Sequence, residues 1–326
     1  MHLTRNADFN TGVASAATTE ESVTVGVVAI CGATHLARCL DALAAQINAP
    51  PFDVVVVYDP HLEDVPALAA RFPSVRMIAN AGQRSPLELA ARAVAEATGD
   101  RIFLTEDHCI PQPDWVRKLY DAQAPGRAAV GGLVHTVDET NSVDWAFYAV
   151  DFFRYMPPAV RGPSPSLTVC NVAYRRDQLR AIETLWSEIF HETAINEALR
   201  ERFGDLWLAP EAQVHMRRNV RFGDAVYERY AFGRLFGCTR LQFAPGRRLY
   251  YSVFAPALPI LLLGRIARRS FRSAKGAARF LRALPVLTTL VFAWAWGEWL
   301  GYITRKRPAS LVVAPEIRAR QRLETP

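Results

Sequence analysis

The sequence predicts an α/β fold: a mostly parallel sheet flanked by helices, with membrane-associated helices at the C-terminal end. Three observations carry that expectation. Between Val23 and Leu104, short apolar runs alternate with segments of helical spacing, the pattern of a parallel sheet covered on both faces. Half of the 326 residues are apolar and 21% are charged, which permits a sizeable core and excludes a disordered chain. The charge is also divided along the chain: residues 1–239 carry a net −7 and residues 240–326 a net +13, so the basic residues gather where long apolar runs gather too.

In chain order, Met1–Ser22 is rich in Ala, Thr, Asn and Ser and has no apolar run of signal-peptide length. It reads as a disordered tail, and the body is expected in the cytoplasm. Five scattered cysteines, odd in number and without a CxxC spacing, suit a reducing compartment. Val23–Ile30 is a continuous apolar run, as in a strand buried on both faces. His35–Ile47 places Leu36, Leu40, Leu43 and Ile47 at helical spacing. A strand at Phe52–Tyr58, a short helix at Val65–Phe72 and a strand at Val75–Ala79 follow. Leu87–Thr98 is a helix stopped by Gly99, and Arg101–Leu104 a fourth strand.

Ligands of such sheets sit beyond the carboxyl ends of the strands. Those ends carry Cys31-Gly32-Ala33-Thr34, Asp59-Pro60 and Thr105-Glu106-Asp107-His108, the last followed by Pro111 and Pro113. Carboxylates and an imidazole grouped at a strand end suit Mg2+ or Mn2+ with positions left open for a phosphate. No glycine-rich phosphate loop follows the first strand, so the phosphates are expected on the metal rather than in a glycine cradle.

Near the C-terminus, Leu249–Gly264 is broken by Pro256 and Pro259, whereas Leu284–Ile303 is a run of 20 residues interrupted only by Glu298. Only the second is long enough to span a bilayer. Between them lie Arg265, Arg268, Arg269, Arg272, Lys275, Arg279 and Arg282, a connector expected at the cytoplasmic face on anionic membrane lipid. The first stretch is then interfacial and the second re-entrant or spanning. A buried helical hairpin is the soluble alternative. A nucleic-acid partner is not expected, because the arginines are flanked by membrane-like runs.

At these residues the chain resembles glycosyltransferase family 2, the inverting enzymes of GT-A (Rossmann-like) fold. The likeness runs through Thr24–Ile30, Leu40–Gln46, Val54–Asp59, Ala91–Ala93 and Ala97–Asp100. It is strongest over Phe103–Trp115, which is similar to the family's "D-x-D, then Pro, then Trp" segment. The resemblance implies a GT-A domain over residues 23–240, between a tail of residues 1–22 and a membrane-associated region of residues 241–326. It implies a nucleoside-diphosphate-sugar donor and a glycan or lipid-linked acceptor, with a setting in cell-envelope polysaccharide synthesis. Asp59 is then a contact to base or ribose, and Glu106 and His108, around Asp107, hold metal and diphosphate. Two departures stand out: the second-strand acidic pair is Tyr58-Asp59, and D-x-D is Glu-Asp-His. A neutral imidazole is still a competent ligand.

Downstream, Cys170–Arg176 resembles the family's "G-N-x-x-x-R" strand, in which Asn171 either orients a sugar or is structural. Glu192, opening the segment Glu192–Phe203, stands where family members carry the general base. A helix N-terminus would hold it ionised; Glu188 and Glu183 are its competitors, and helix capping is its bland role. His191 and His215 are either packing residues or contacts, His215 as a further metal ligand. Arg84 and Arg92 are candidates for the diphosphate, as are Arg217, Arg218 and Arg221, which otherwise face lipid. The aromatic residues Trp145, Phe147, Tyr148, Phe152, Phe153 and Tyr155 either stack on sugars or fill the core. Besides metal-dependent transfer of a sugar with inversion, two readings stand: a nucleotidyltransferase, which lacks its usual phosphate loop here, and a degenerate, non-catalytic binding protein.

Overall fold

The computed structural model describes residues 20–81, 85–137, 141–309 and 311. The first half alternates as the sequence predicts: β1 (Val23–Ala29), α1 (Ala33–Ala44), β2 (Phe52–Tyr58), β3 (Arg76–Ala79), α2 (Pro86–Glu96) and β4 (Arg101–Glu106). Then come β5 (Cys109–Pro111), α3 (Trp115–Ala122), β6 (Arg127–Thr136), α4 (Ser142–Phe152), β7 (Gly162–Pro163) and β8 (Val172–Arg175). The rest is α5 (Arg176–Arg180), α6 (Glu192–Phe203), β9 (Asp205–Met216), α7 (Phe222–Phe243), α8 (Arg248–Phe254), α9 (Leu258–Ser270) and α10 (Ala274–Thr304).

The sheet has nine strands among the described residues, in the order β3-β2-β1-β4-β8-β6-β9-β5, with β7 beside β9. Strands β1 to β4 are parallel, and β8 enters antiparallel between β4 and β6. Strands β1 and β2 are continuous valine-rich runs because both faces are covered: all seven residues of β1 and the last five of β2 are buried. Leu36, Leu40 and Leu43 of α1 and Leu89, Ala93 and Val94 of α2 supply the covering stripes. Ser85 and Glu88 form a reciprocal capping box at the start of α2. Gly32, between β1 and α1, has φ +90°, a conformation costly for a side chain, so the turn at the strand end needs glycine.

Several expectations are corrected. The short helix expected over Val65–Phe72 is present and narrower, a 3₁₀ helix at Pro66–Ala70. The tail does not extend to Ser22. Residues 1–19 lie outside the described residues, but Glu21 bonds Tyr120 and pairs with Arg101, and Ser22 bonds Asp100. The aromatic residues of the α4 segment are buried core. The boundary expected at residue 240 falls inside α7.

Two helical stretches, Arg248–Ser270 and Ala274–Thr304, are long and apolar enough to cross a membrane. The second starts ten residues before Leu284 because its arginine-bearing first turns are helical as well. One side of α10 packs on α4 and α7. Along α7, Gly233 and Gly237 meet Gly297 and Gly301 of α10 with the two helices running in the same direction, and a Cβ at any of the four would overlap a backbone atom of the opposite helix. Paired glycines four apart let two helices approach this closely. The lone acid of the apolar run, Glu298, is buried here, accepting from Trp294 Nε1 (2.8 Å) and the Tyr302 hydroxyl (2.5 Å), with Arg240 at 3.8 Å.

Candidate active site

The site forms where the carboxyl ends of β1, β2 and β4 meet the loop before β8 and the start of α6. Its keystone is Asp107, fully buried at the end of β4. Its N–H donates to the Val28 carbonyl (3.0 Å), and its Oδ2 accepts the N–H groups of Ile30 (2.9 Å) and Cys31 (2.7 Å). The side chain thus ties the tip of β4 to the tip of β1 with charge-assisted bonds. Its other oxygen, Oδ1, has no hydrogen-bond partner and lies 3.7 Å from His108 Nδ1.

Strand alternation places Thr105 and Glu106 on opposite faces. Thr105 donates to the Cys170 carbonyl (3.0 Å), while Glu106 Oε2 lies 3.4 Å from His108 Nδ1. Glu106 and His108 therefore converge, as a shared cation requires. Burial opposes a charge on the His108 ring, but the neighbouring Cys109 sulfur and the Asp107 carboxylate outweigh it and hold its pKa well above the usual imidazole range. An anionic pocket of this kind favours a positive occupant, whether a proton or a metal ion. Arg218 stands close by, its guanidinium bonded through both nitrogens to Glu228 (3.1 and 3.2 Å) and subject to the field of Glu106 and Cys31.

Glu192 is the first residue of α6, and its Oε2 accepts the Val169 N–H (3.0 Å) from the loop before β8. Because β8 lies next to β4, this loop delivers Glu192 to the neighbourhood of Glu106. The helix N-terminus was expected to hold the carboxylate ionised, and the structure corrects this. Loss of hydration raises its pKa to about 7; the Val169 N–H opposes the shift and the charge of Glu106 adds to it. Glu183 and Glu188 are exposed. His191, the residue before α6, is a packing side chain: burial lowers its pKa to about 4, and its ring lies 5.5 Å from that of Phe236 in α7, which lies 5.8 Å from that of Trp294 in α10.

Asp59 sits at the tip of β2, where its Oδ1 accepts the His61 N–H (3.0 Å). The remaining candidates fall elsewhere. Asn171 is fully buried; its Oδ1 accepts from Trp115 Nε1 (2.8 Å), and its Nδ2 donates to the carbonyls of Leu133 (2.9 Å) and Ala212 (3.0 Å). It is a structural clamp for β6, β9 and α3, not a donor contact. His215 lies against Gln112 (Nε2 to Nδ1, 2.6 Å) and the ring of His135; it belongs to neither group of ligand atoms that converges on His108. Arg92 pairs with Glu96 (2.6 Å) on the outer face of α2, and Arg84 lies outside the described residues. Two features went unread in the sequence. The Cys31 sulfur stands 4.0 Å from His108 Nδ1, and the Val169 amide fixes the Glu192 carboxyl. Cys31 and Val169 lie 77 and 23 residues from these partners, so only the fold brings them together.

A mostly parallel sheet with acids and an imidazole at its strand ends, and a carboxyl near them, is an arrangement chemically suited to group transfer. The family is given by the match of residues 24–182 to the model of Glycosyl transferase family 2. These residues form a glycosyltransferase family 2 domain, and the chain is a glycosyltransferase. Among solved structures, mannosyltransferase PcManGT from Pyrobaculum calidifontis, in complex with GDP-Man and Mn2+, is 14% identical with a TM-score of 0.46, over 94% of this chain and 80% of that one. GalNAc-T7 with UDP, GalNAc and Mn2+ is 13% identical with a TM-score of 0.46, over 63% of this chain and 45% of that one. The chain thus spans less than half of the latter's length. No curated protein matches the sequence.

Proposed function

We propose that the protein moves a sugar, with inversion, from a nucleoside-diphosphate donor to a glycan or lipid-linked acceptor at a membrane surface. The observation that carries this reading is the pairing of two unlike groups across one site. An anionic Glu106–Asp107–His108 cluster ends β4, and a carboxyl of pKa about 7, Glu192, faces it from α6.

Inversion needs a base that takes the acceptor proton on the face opposite the departing diphosphate, and a base titrating near neutrality is suited to that work. Glu192 fills this role, with its orientation set by the Val169 amide. Asp59, at the β2 tip, is assigned in this reading to base or ribose. His108, Asp107 and Glu106 would hold a divalent cation: the unpartnered Oδ1 of Asp107 is a buried acceptor that a cation would satisfy. Such an ion, when bound, supplies positive charge to the leaving diphosphate. Arg218 adds a fixed positive group on the same side.

A screen of nucleotide sugars, with Mg2+ or Mn2+ and with chelator, tests the reading. One donor should be hydrolysed or transferred only with metal, giving a product of inverted anomeric configuration. Transfer that ignores chelation, or retains configuration, removes it.

Residues from α8 onward form the membrane-facing part. Leu249, Tyr250, Val253, Phe254, Ile260 and Phe271 are exposed, and Arg265, Arg268, Arg272, Lys275, Arg279 and Arg282 lie among and after them. Apolar residues with neighbouring arginines suit the headgroup level of an anionic leaflet, the arrangement of cytoplasmic faces. Packing of α10 on the charged helix α7 favours lying on the bilayer over crossing it. The protein should float with anionic vesicles and less with neutral ones, and Leu249→Asp with Ile260→Asp should abolish flotation. Flotation unaffected by the double substitution would place the contact elsewhere.

A further inference from the structure

We propose that the Cys31 sulfur is a ligand of the cation, so that the metal site of this chain is a thiolate-bearing set of Cys31, Asp107 and His108 with Glu106 at its rim. The inference rests on the reading of this site as a cation site and adds a chemical preference to it. One ligand atom from each of Cys31, Asp107 and His108 lies within 4.8 Å of the others. From His108 Nδ1, Glu106 Oε2 is at 3.4 Å, Asp107 Oδ1 at 3.7 Å and Cys31 Sγ at 4.0 Å. Ligand atoms sharing a tetrahedral ion with bonds of about 2.0–2.3 Å stand about 3.3–3.7 Å apart. Contraction of the set Cys31, Asp107 and His108 from within 4.8 Å to this spacing would close it around an ion.

The independent observation is the carboxylate. Asp107 is completely buried, its Oδ2 engaged by two backbone amides, and its Oδ1 left without a donor beside the histidine and the thiol. A buried acceptor of this kind is costly unless satisfied, and a cation seated among these three atoms satisfies it. The same two amides hold the carboxylate, and one of them belongs to Cys31, so the anchor that orients one ligand also positions the next.

A second convergence, His108 with Cys109 and Cys170, shares the histidine, but both of its sulfurs belong to buried residues. Cys31 is partly exposed and offers a path of entry. Sulfur ligation disfavours Mg2+, which demands oxygen, and favours Zn2+, Co2+ or other thiophilic ions.

Cobalt substitution tests the proposal in the full-length, metal-stripped protein. One equivalent of Co2+ should produce a thiolate-to-cobalt charge-transfer absorption that Zn2+ displaces and Mg2+ does not. Cys31→Ser should abolish the band and weaken Zn2+ binding by at least about tenfold, with Mg2+ binding and thermal stability unchanged. Cys109→Ser and Cys170→Ser should keep the band. No band in the wild type, a band that survives Cys31→Ser, or one lost in Cys109→Ser overturns the assignment. Metal-dependent transfer without the band would remove Cys31 and leave the transferase reading intact; the band without any transfer would do the reverse.

Discussion

Glu192→Gln is expected to lower turnover by about 10²–10⁴-fold, the usual contribution of a positioned general base, while leaving donor binding close to the wild-type value. Glutamine keeps an oxygen for the Val169 amide, so the loop before β8 and the start of α6 keep their geometry and only the proton-accepting group is lost. The pH profile carries the same information. With a carboxyl of pKa about 7, the wild-type rate should rise about tenfold per pH unit below neutrality and level off above it, because only the ionised form accepts a proton. Burial sets this limb first by raising the value; the Val169 amide, the Arg154 guanidinium and the Thr168 hydroxyl lower it, and the Glu106 carboxylate raises it further. In Glu192→Gln the limb should vanish. Unchanged turnover in the variant, or an unchanged limb, would remove Glu192 from the role.

The second large effect is structural. Gly297→Val should destabilise the protein by about 2–3 kcal/mol, since overpacking at a closed contact costs this much where the neighbour cannot yield. The obstruction is the Tyr230 carbonyl of α7, part of a helix backbone rather than the end of a flexible side chain. Displacing α10 would also draw Glu298 away from Arg240 of α7. A fall of several degrees in the thermal midpoint checks this. Gly264→Ala in α9, where an added Cβ meets nothing, should leave the midpoint unchanged or slightly raised. Equal behaviour of the two variants would show that the glycine seam is not a close contact.

Strands β1 and β2 were legible because buried parallel strands must be apolar on both faces, so Val23–Ile30 and Phe52–Tyr58 announce themselves without help from distant residues. Their proposed roles aside, the positions of Glu106 and His108 at a strand end and of Glu192 at the first residue of a helix were legible as well. Asn171 was not, because its partners Trp115, Leu133 and Ala212 come from three other elements, and a buried amide looks the same in sequence as one facing a ligand. His215 misled for a similar reason, since Gln112 and His135 reach it only through the pairing of β9 with β5 and β6. The ionisation of Glu192 was misjudged because the helix terminus is local and visible, whereas desolvation depends on what the fold stacks around it. The length of α10 was underestimated because its first three turns carry charges, which mark an exposed face and not a helix end.

The contacts from His191 through Phe236 to Trp294 connect the start of α6, by way of rings on two helices, to the apolar flank of the molecule. These tilted ring contacts leave little slack between the two ends of that chain. On the proposed membrane contact and the proposed role of Glu192, a flank resting on a bilayer would hold that carboxyl at one elevation above the lipid. Substrates would then be sorted by how far their reactive hydroxyl projects from its anchor, so the spacer between lipid and sugar becomes a criterion of choice in its own right.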